Sequence, residues 1–309
     1  TLSATGSGTV SSANVGTGKN VTSVNLALAN GTGAASNYSI NSMTAEITGR
    51  PVTISGSRLY DSTTTASSSI LTITSGVSGE SLSLTGSGVL GAASAGTQTI
   101  TNNNTLAIAD GSGGLASNYT LSGATINVTI IPRTLNVSLS REYDGTTSVS
   151  GSSLTPTFDS LQGGETLALS GTGSVSTANV GSSKAVSLGS IALVAGSGNP
   201  SNYSLNSATM NVTQRVINLD GIRAYDATTN VLSSDINTFG NIVSGETLTI
   251  SGTGSVGTNS VAMNKAITIG SLSLGNGSGL ASKYNLTGGT HTFDISPVSV
   301  KVTGSRQYN

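Results

Sequence analysis

The sequence predicts an all-β protein: a tandem array of Ig-like antiparallel β-sandwich repeats of about 82 residues, strung into an elongated rod. Three observations predict it. Two tyrosine motifs recur along the chain, the first at intervals of 82–83 residues. Short alternations of apolar and polar residues, separated by Gly, Asn and Ser clusters, fill each period. No stretch holds a sustained helical period, and no subrepeat of 20–25 residues marks the rival β-helix.

The first motif is Arg-x-Tyr-Asp-x-Thr-Thr. It reads Arg58-Leu59-Tyr60-Asp61-Ser62-Thr63-Thr64, then Arg141-Glu142-Tyr143-Asp144-Gly145-Thr146-Thr147, then Arg223-Ala224-Tyr225-Asp226-Ala227-Thr228-Thr229. A fourth start is Arg306-Gln307-Tyr308-Asn309. The second motif ends in Tyr38, Tyr119, Tyr203 and Tyr284, each preceded by Ser-Asn except the last, where Lys283 replaces Asn. Between them lie Gly79-Glu80-Ser81-Leu82, Gly164-Glu165-Thr166-Leu167 and Gly245-Glu246-Thr247-Leu248. A further block, Ala13-Asn14-Val15-Gly16 with Lys19, returns as Ala178-Asn179-Val180-Gly181 with Lys184; Lys265 keeps the lysine, and Gln98 replaces it. The expected organisation is a C-terminal part of a repeat at 1–49, complete repeats at 50–131, 132–214 and 215–296, and the start of a further repeat at 297–309. Neighbouring repeats of the same chain are the expected partners.

Each repeat opens on a strand: Leu135, Val137 and Leu139 alternate with Asn136, Ser138 and Ser140, and Val298, Val300 and Val302 do the same. Leu167 with Leu169 and Leu248 with Ile250 mark a middle strand. Val186, Leu188, Ile191 and Leu193 mark a later one, and Ile126, Val128 and Ile130 the last. The junctions are short. Ile131-Pro132-Arg133 joins two strands with no flexible tract, and Gly49-Arg50-Pro51, Gln214-Arg215 and Ser296-Pro297 hold the same place. That predicts stiff connections.

Composition narrows the function. Cysteine is absent and His291 is the single histidine, which excludes disulfides, thiolate metal sites and multi-histidine centres. Charged residues are 8% and the net charge is -1, so nothing electrostatic draws the chain to nucleic acid. No apolar run approaches membrane-spanning length. The thirteen acids are spread over the chain with no Asp-x-Asp cluster, so neither calcium nor another cofactor is expected. Gly16-Thr17-Gly18-Lys19-Asn20 lacks the first glycine and the final Ser/Thr of a phosphate loop. Asn-x-Ser/Thr sequons such as Asn127-Val128-Thr129 are frequent, as chance predicts in a chain this rich in Asn, Ser and Thr.

No catalytic residue stands out, and an enzyme is not expected. Arg58, Tyr60, Asp61, Arg141, Tyr143, Asp144, Arg223, Tyr225 and Asp226, with Tyr38, Tyr119, Tyr203 and Tyr284, form a structural repeat motif. The tyrosines are expected to pack inward with their hydroxyls bonded. Asp and Thr should close an Asx or Ser/Thr turn, with Arg pairing to an acid or a carbonyl. Because Gly145 is Ser62 and Ala227 elsewhere, an obligate left-handed residue is not expected there. Lysines 19, 184 and 265 invite comparison with isopeptide chemistry, but Gln98 breaks that pattern. His291 falls where Ala45, Ile126 and Met210 stand, an apolar strand position.

Together, Tyr-Asp-Gly-Thr-Thr, Gly-Glu-Thr-Leu, Asn-Val-Gly and Ser-Asn-Tyr resemble the YDG/MBG-type repeats of filamentous-haemagglutinin-like adhesins of Gram-negative bacteria. The resemblance covers essentially the whole chain. It implies an all-β stalk in a large exoprotein exported by two-partner secretion to the cell surface or extracellular matrix, serving attachment or biofilm formation. It further implies that host or matrix glycans are bound by other parts of the parent protein. The leading expectation is a spacer that extends an adhesive tip; the alternative is that the repeats themselves bind carbohydrate or matrix polysaccharide by avidity.

Overall fold

In the opening strand Arg133–Glu142, Leu135, Val137 and Leu139 are buried while Asn136, Ser138 and Ser140 are exposed, so the alternation read from sequence gives the strand one core face and one wet face. The computed structural model describes residues 1–23 and 25–308. It is all-β, with single 3-10 turns among the strands. The chain forms two compact units, Thr1–Arg133 with Ser201–Tyr203, and Thr134–Pro200 with Ser204–Asn309.

In the second unit the repeat at 215–296 has a six-stranded sheet. Its order is Asn230–Leu232, Thr253–Val256, Ala262–Thr268, His291–Ser296, Asn218–Ala224, Ile236–Gly240. Leu248–Ser251 and Ser273–Asn276 form a second, two-stranded sheet over it. The repeat at 132–214 has the same order and the same second sheet, Leu167–Ser170 with Ala192–Ala195. A buried apolar cluster runs through both, from Leu139, Val149 and Met210 to Leu219, Val231 and Phe293, with Tyr143 and Tyr284 inside it.

In the first unit the corresponding sheet of 50–131 is divided in two. One part holds Gly96–Gln98, Tyr119–Ile131, Arg50–Leu59 and Leu71–Thr74, and the other Ile100–Asn102, Ser87–Leu90 and Thr65–Ser67. Residues 1–49 form a three-stranded sheet, Gly8–Val10, Gly16–Ser23 and Thr44–Ile47, plus the pair Leu2–Thr5 and Ala27–Asn30. None of their described side chains is buried.

Two features depart from the antiparallel expectation. The first and last strands of a repeat run parallel: Leu219 lies opposite His291 and Gly221 opposite Phe293, as Ile54 lies opposite Ile126 and Gly56 opposite Val128. A parallel pair needs a long crossover, and the rest of the repeat supplies it. The segment read as the opening strand of a further repeat is not in a sheet: Val300 and Val302 are 83% and 90% exposed. Extended backbone becomes a strand only when a ladder partner takes its N–H and C=O groups.

Gly221 and Phe293 are size-matched neighbours across that parallel pair. A Cβ at Gly221 would lie 2.7 Å from the Asp235 carbonyl oxygen and 2.9 Å from the Phe293 ring. In the repeat at 132–214 the corresponding positions hold Leu139 and Met210, both buried. Gly221→Ala is therefore expected to destabilise the chain by about 1–3 kcal/mol, read as a lower denaturation midpoint in urea.

Candidate functional site

The Arg-x-Tyr-Asp-x-Thr-Thr motif sits where the opening strand leaves the sheet. The Tyr143 N–H donates to the Thr213 carbonyl at 2.9 Å, Tyr60 to Ile131 and Tyr225 to Ser296 in the same way, which closes the parallel ladder. The chain then turns. Asp144 Oδ1 accepts from the Thr146 N–H at 2.9 Å and its hydroxyl at 3.0 Å. Asp61 holds Thr63, and Asp226 holds Thr228, by equivalent bonds. Each arginine lies along this turn with its side chain mostly buried. Arg141 pairs with Asp144 at 3.0 Å and Arg223 with Asp226 at 3.1 Å, and Arg58 pairs with Asp61. Each also donates to the carbonyl of the motif threonine. The Thr228 N–H is the main cause holding the Asp226 carboxyl below its usual range. For Asp61, burial pushes the other way, but bonds from Thr63 and Arg58 outweigh it and leave the group lowered.

The residue after the aspartate is left-handed in all three repeats: φ is 62° at Ser62, 76° at Gly145 and 64° at Ala227. This corrects the expectation drawn from the missing glycines. The tight Asp–Thr turn demands this conformation, and Ser62 and Ala227 adopt it under strain that glycine avoids.

The tyrosines do not all pack inward, which corrects a second expectation. Tyr60, Tyr119, Tyr143, Tyr203 and Tyr284 are buried, whereas Tyr225 is 42% exposed, Tyr38 60% and Tyr308 fully exposed. The reason is that the first-motif tyrosine reaches out of its own repeat. In the second unit Tyr143, from the repeat at 132–214, meets Tyr284 of the repeat at 215–296 edge to face, with ring centroids 5.6 Å apart. In the first unit Tyr60 meets Tyr203 in the same arrangement at 5.3 Å. Asn309, the counterpart of the motif aspartate, lies outside the described residues.

A carboxylate joins the two hydroxyls. Tyr143 donates to Glu246 Oε1, and Tyr284 donates to Oε2 at 2.6 Å. Lys283 Nζ donates to the Tyr143 hydroxyl at 3.1 Å and stands 4.7 Å above its ring. Arg215 Nη1 donates to the Tyr143 carbonyl, while its Nε and Nη2 hold Asn241 at 2.6 Å. Within the first unit, Tyr119 donates to Glu80 and Arg133 Nε donates to the Tyr60 carbonyl. The Asn of Ser-Asn-Tyr works here too: Asn118 Oδ1 accepts from the Val15 N–H and its Nδ2 donates to Asn14, and Asn202 Oδ1 accepts from the Ala95 N–H. The site is therefore a joint between consecutive repeats, made from four separate motifs.

Sequence reasoning placed the tyrosines, aspartates and arginines in a structural motif but did not bring Glu246, Lys283 and Arg215 to Tyr143. Their shared periodicity was the available signal. Lys184 and Lys265 serve their own repeats, donating to Thr177 and Asn179 and to Thr258 and Ser260. His291 accepts from the Leu219 N–H at Nδ1, 3.1 Å, with Nε2 on the Leu286 carbonyl at 2.8 Å, so it replaces an apolar strand residue with two backbone bonds. Among the described residues no group of three or more acidic or histidine side chains could hold a metal ion, and no helix is long and apolar enough to cross a membrane.

Burial and the bonds to Glu246 push Tyr143 and Tyr284 up to about 12. Burial pushes Glu246 up, but the two tyrosine hydroxyls and the charge of Lys283 outweigh it and hold the carboxyl below its ordinary 4.5. Raised tyrosines stabilise the fold below pH 10, and the contribution is lost as pH rises towards about 12. The lowered glutamate stabilises it above pH 4.5, and this contribution is lost at more acid pH. Thermal melts across pH are expected to show a plateau with both limbs. Glu246→Gln should flatten the acid limb, and Tyr143→Phe should shrink the alkaline one.

The strained turn makes an opposite pair of expectations. Ala227→Gly should stabilise the chain by about 1 kcal/mol by relieving the left-handed backbone. Gly145→Ala should destabilise it, because the new Cβ is strained and lies 3.0 Å from Val243. Both are read from denaturant midpoints.

The family model for the YDG domain matches twice, over residues 46–128 and 127–210. No curated protein and no solved structure matches the chain.

Proposed function

Because the chain belongs to the YDG domain family, we propose that it is a structural spacer in a secreted bacterial surface adhesin, holding an adhesive region away from the cell for attachment or biofilm formation. The observation that carries this reading is the joint. Tyr143, Glu246, Tyr284 and Lys283 are directed at fixing one repeat to the next, and no substrate is needed to account for them. A spacer needs that property: each short junction must resist bending, and a buried hydrogen-bonded clasp across it supplies the resistance. The charge-poor surface of small polar residues suits a passive stalk, and catalysis has no part in the proposal. Two-partner export to the surface of a Gram-negative cell belongs to the same proposal and rests on the resemblance of the motifs. Host or matrix glycans are then partners of other parts of the parent protein. Repeat-borne carbohydrate binding would call for exposed aromatics, and the clasp tyrosines are turned inward.

Small-angle scattering tests the spacer. A compact globule of this length has a radius of gyration of about 19 Å. A rod of stiffly joined repeats is expected to give a value well above that, with a distribution that broadens in Tyr143→Ala. A wild-type value near the globular one overturns the reading, and retention on immobilised glycans would favour carbohydrate binding instead.

A further inference from the structure

In the repeats at 50–131 and 215–296 the first and last strands are neighbours that the chain enters and leaves at opposite ends. Asn218–Ala224 and His291–Ser296 run parallel, with Leu219 opposite His291 at one end and Ala224 opposite Ser296 at the other. The chain comes in at the Leu219 end and goes out at the Ser296 end. Two backbone bonds lengthen this seam. The Ile217 N–H donates to the Asn285 carbonyl at 3.0 Å, and the Tyr225 N–H to the Ser296 carbonyl at 2.9 Å. The seam of 50–131 is built alike, from Arg50 opposite Tyr119 to Leu59 opposite Ile131.

Tension on the chain therefore pulls the two strands of a seam past each other along their length. Their hydrogen bonds lie across that direction, so they share the load and must fail together. Strands pulled apart from one end lose one bond at a time. Residues 225–290 carry no tension until the seam gives way.

The seam also resists sliding. A one-residue slip would turn Asp220 and Thr292, which bond to each other at 3.0 Å on the outer face, towards the core. A two-residue slip in the direction of pull would bring Arg223 to the place of Gly221, opposite Phe293. A Cβ in that place would already lie 2.9 Å from the Phe293 ring. Gly56 and Arg58 stand in the same relation to Val128, and a Cβ at Gly56 would lie 2.5 Å from the Ile70 carbonyl oxygen. Beneath the ladder Leu219, Phe293 and Ile295 are buried, which keeps water from competing for its bonds. Each strand of the seam is held by a further neighbour, Ile236–Gly240 on one side and Ala262–Thr268 on the other.

We propose that the parallel seam is a load-bearing lock, and that resisting tensile force is a function of each repeat. The joint between repeats fixes how one meets the next. The seam sets the force at which a repeat opens. This inference stands on strand order and does not depend on the spacer reading, because stiffness at rest and strength under tension are separate properties.

Single-molecule stretching of the full 309-residue chain tests it, since a chain without cysteine can be gripped at chosen cysteine pairs. Gln214→Cys with Val298→Cys grips the repeat at 215–296 at opposite ends of its seam. Ala224→Cys with Val298→Cys grips it at the Ser296 end alone. All three positions are exposed, so only the direction of pull differs. The first grip is expected to rupture abruptly and release about 250 Å, the extended length of the repeat less its folded span. The second is expected to open at a severalfold lower force at the same pulling speed, because peeling has the lower barrier and forced unfolding follows the unfolding rate. Equal forces in the two grips, a stronger second grip, or gradual extension without rupture in the first would each overturn the proposal.

Discussion

A tyrosine hydroxyl taken out of water must find a partner, and the joint between repeats is built around that requirement. Tyr143 and Tyr284 bring two rings of apolar surface to the boundary, and burying them drives the contact. Their hydroxyls would then be stranded, at a cost of about 1–3 kcal/mol each. Glu246 has two oxygens and takes one hydroxyl on each. The carboxylate in turn needs a counter-charge as it leaves water, and Lys283 stands over Tyr143 to provide it. Each group solves a problem created by the one before, so apolar burial and polar satisfaction reinforce each other across the joint.

That dependence explains why so few charges recur in such fixed places. Arg141 holds the Asp144 turn, the turn aims Tyr143 outward, and Arg215 binds the carbonyl of the same tyrosine from the other side. The left-handed backbone at Gly145 belongs to this chain of causes. It is the sharp turn after the aspartate that lets the tyrosine end its own sheet while its ring leaves for the neighbouring repeat. Ser62 and Ala227 keep the geometry at a cost, because the bonds from Asp61 to Thr63 and from Asp226 to Thr228 over-determine it.

The strands were legible in the sequence because alternation is a local property: Leu135, Val137 and Leu139 show their buried face without reference to anything else. Partnership is not local. The same alternation serves a parallel or an antiparallel neighbour, so the pairing of Asn218–Ala224 with His291–Ser296 could not be read from either strand alone. The joint was hidden for a related reason. Tyr143 and Glu246 are about a hundred residues apart, and periodicity says that both matter without saying that they meet. The motif serine and alanine misled in another way, since residue preference reports the easy conformation and the turn requires the difficult one.

Variation within the joint shows which part of it is constrained. Asn118 and Asn202 accept a backbone N–H from the preceding repeat, whereas Lys283 at the same place cannot accept and instead turns to the ring and hydroxyl of Tyr143. An acceptor has been exchanged for a cationic donor, yet Tyr143 and Tyr284 still meet edge to face as Tyr60 and Tyr203 do. The fixed element is therefore the tyrosine pair, and the surrounding polar groups are free to change as long as each new one finds its own partner. Such tolerance suits a tandem array of YDG repeats, because neighbouring repeats can diverge in sequence while the joint between them stays the same.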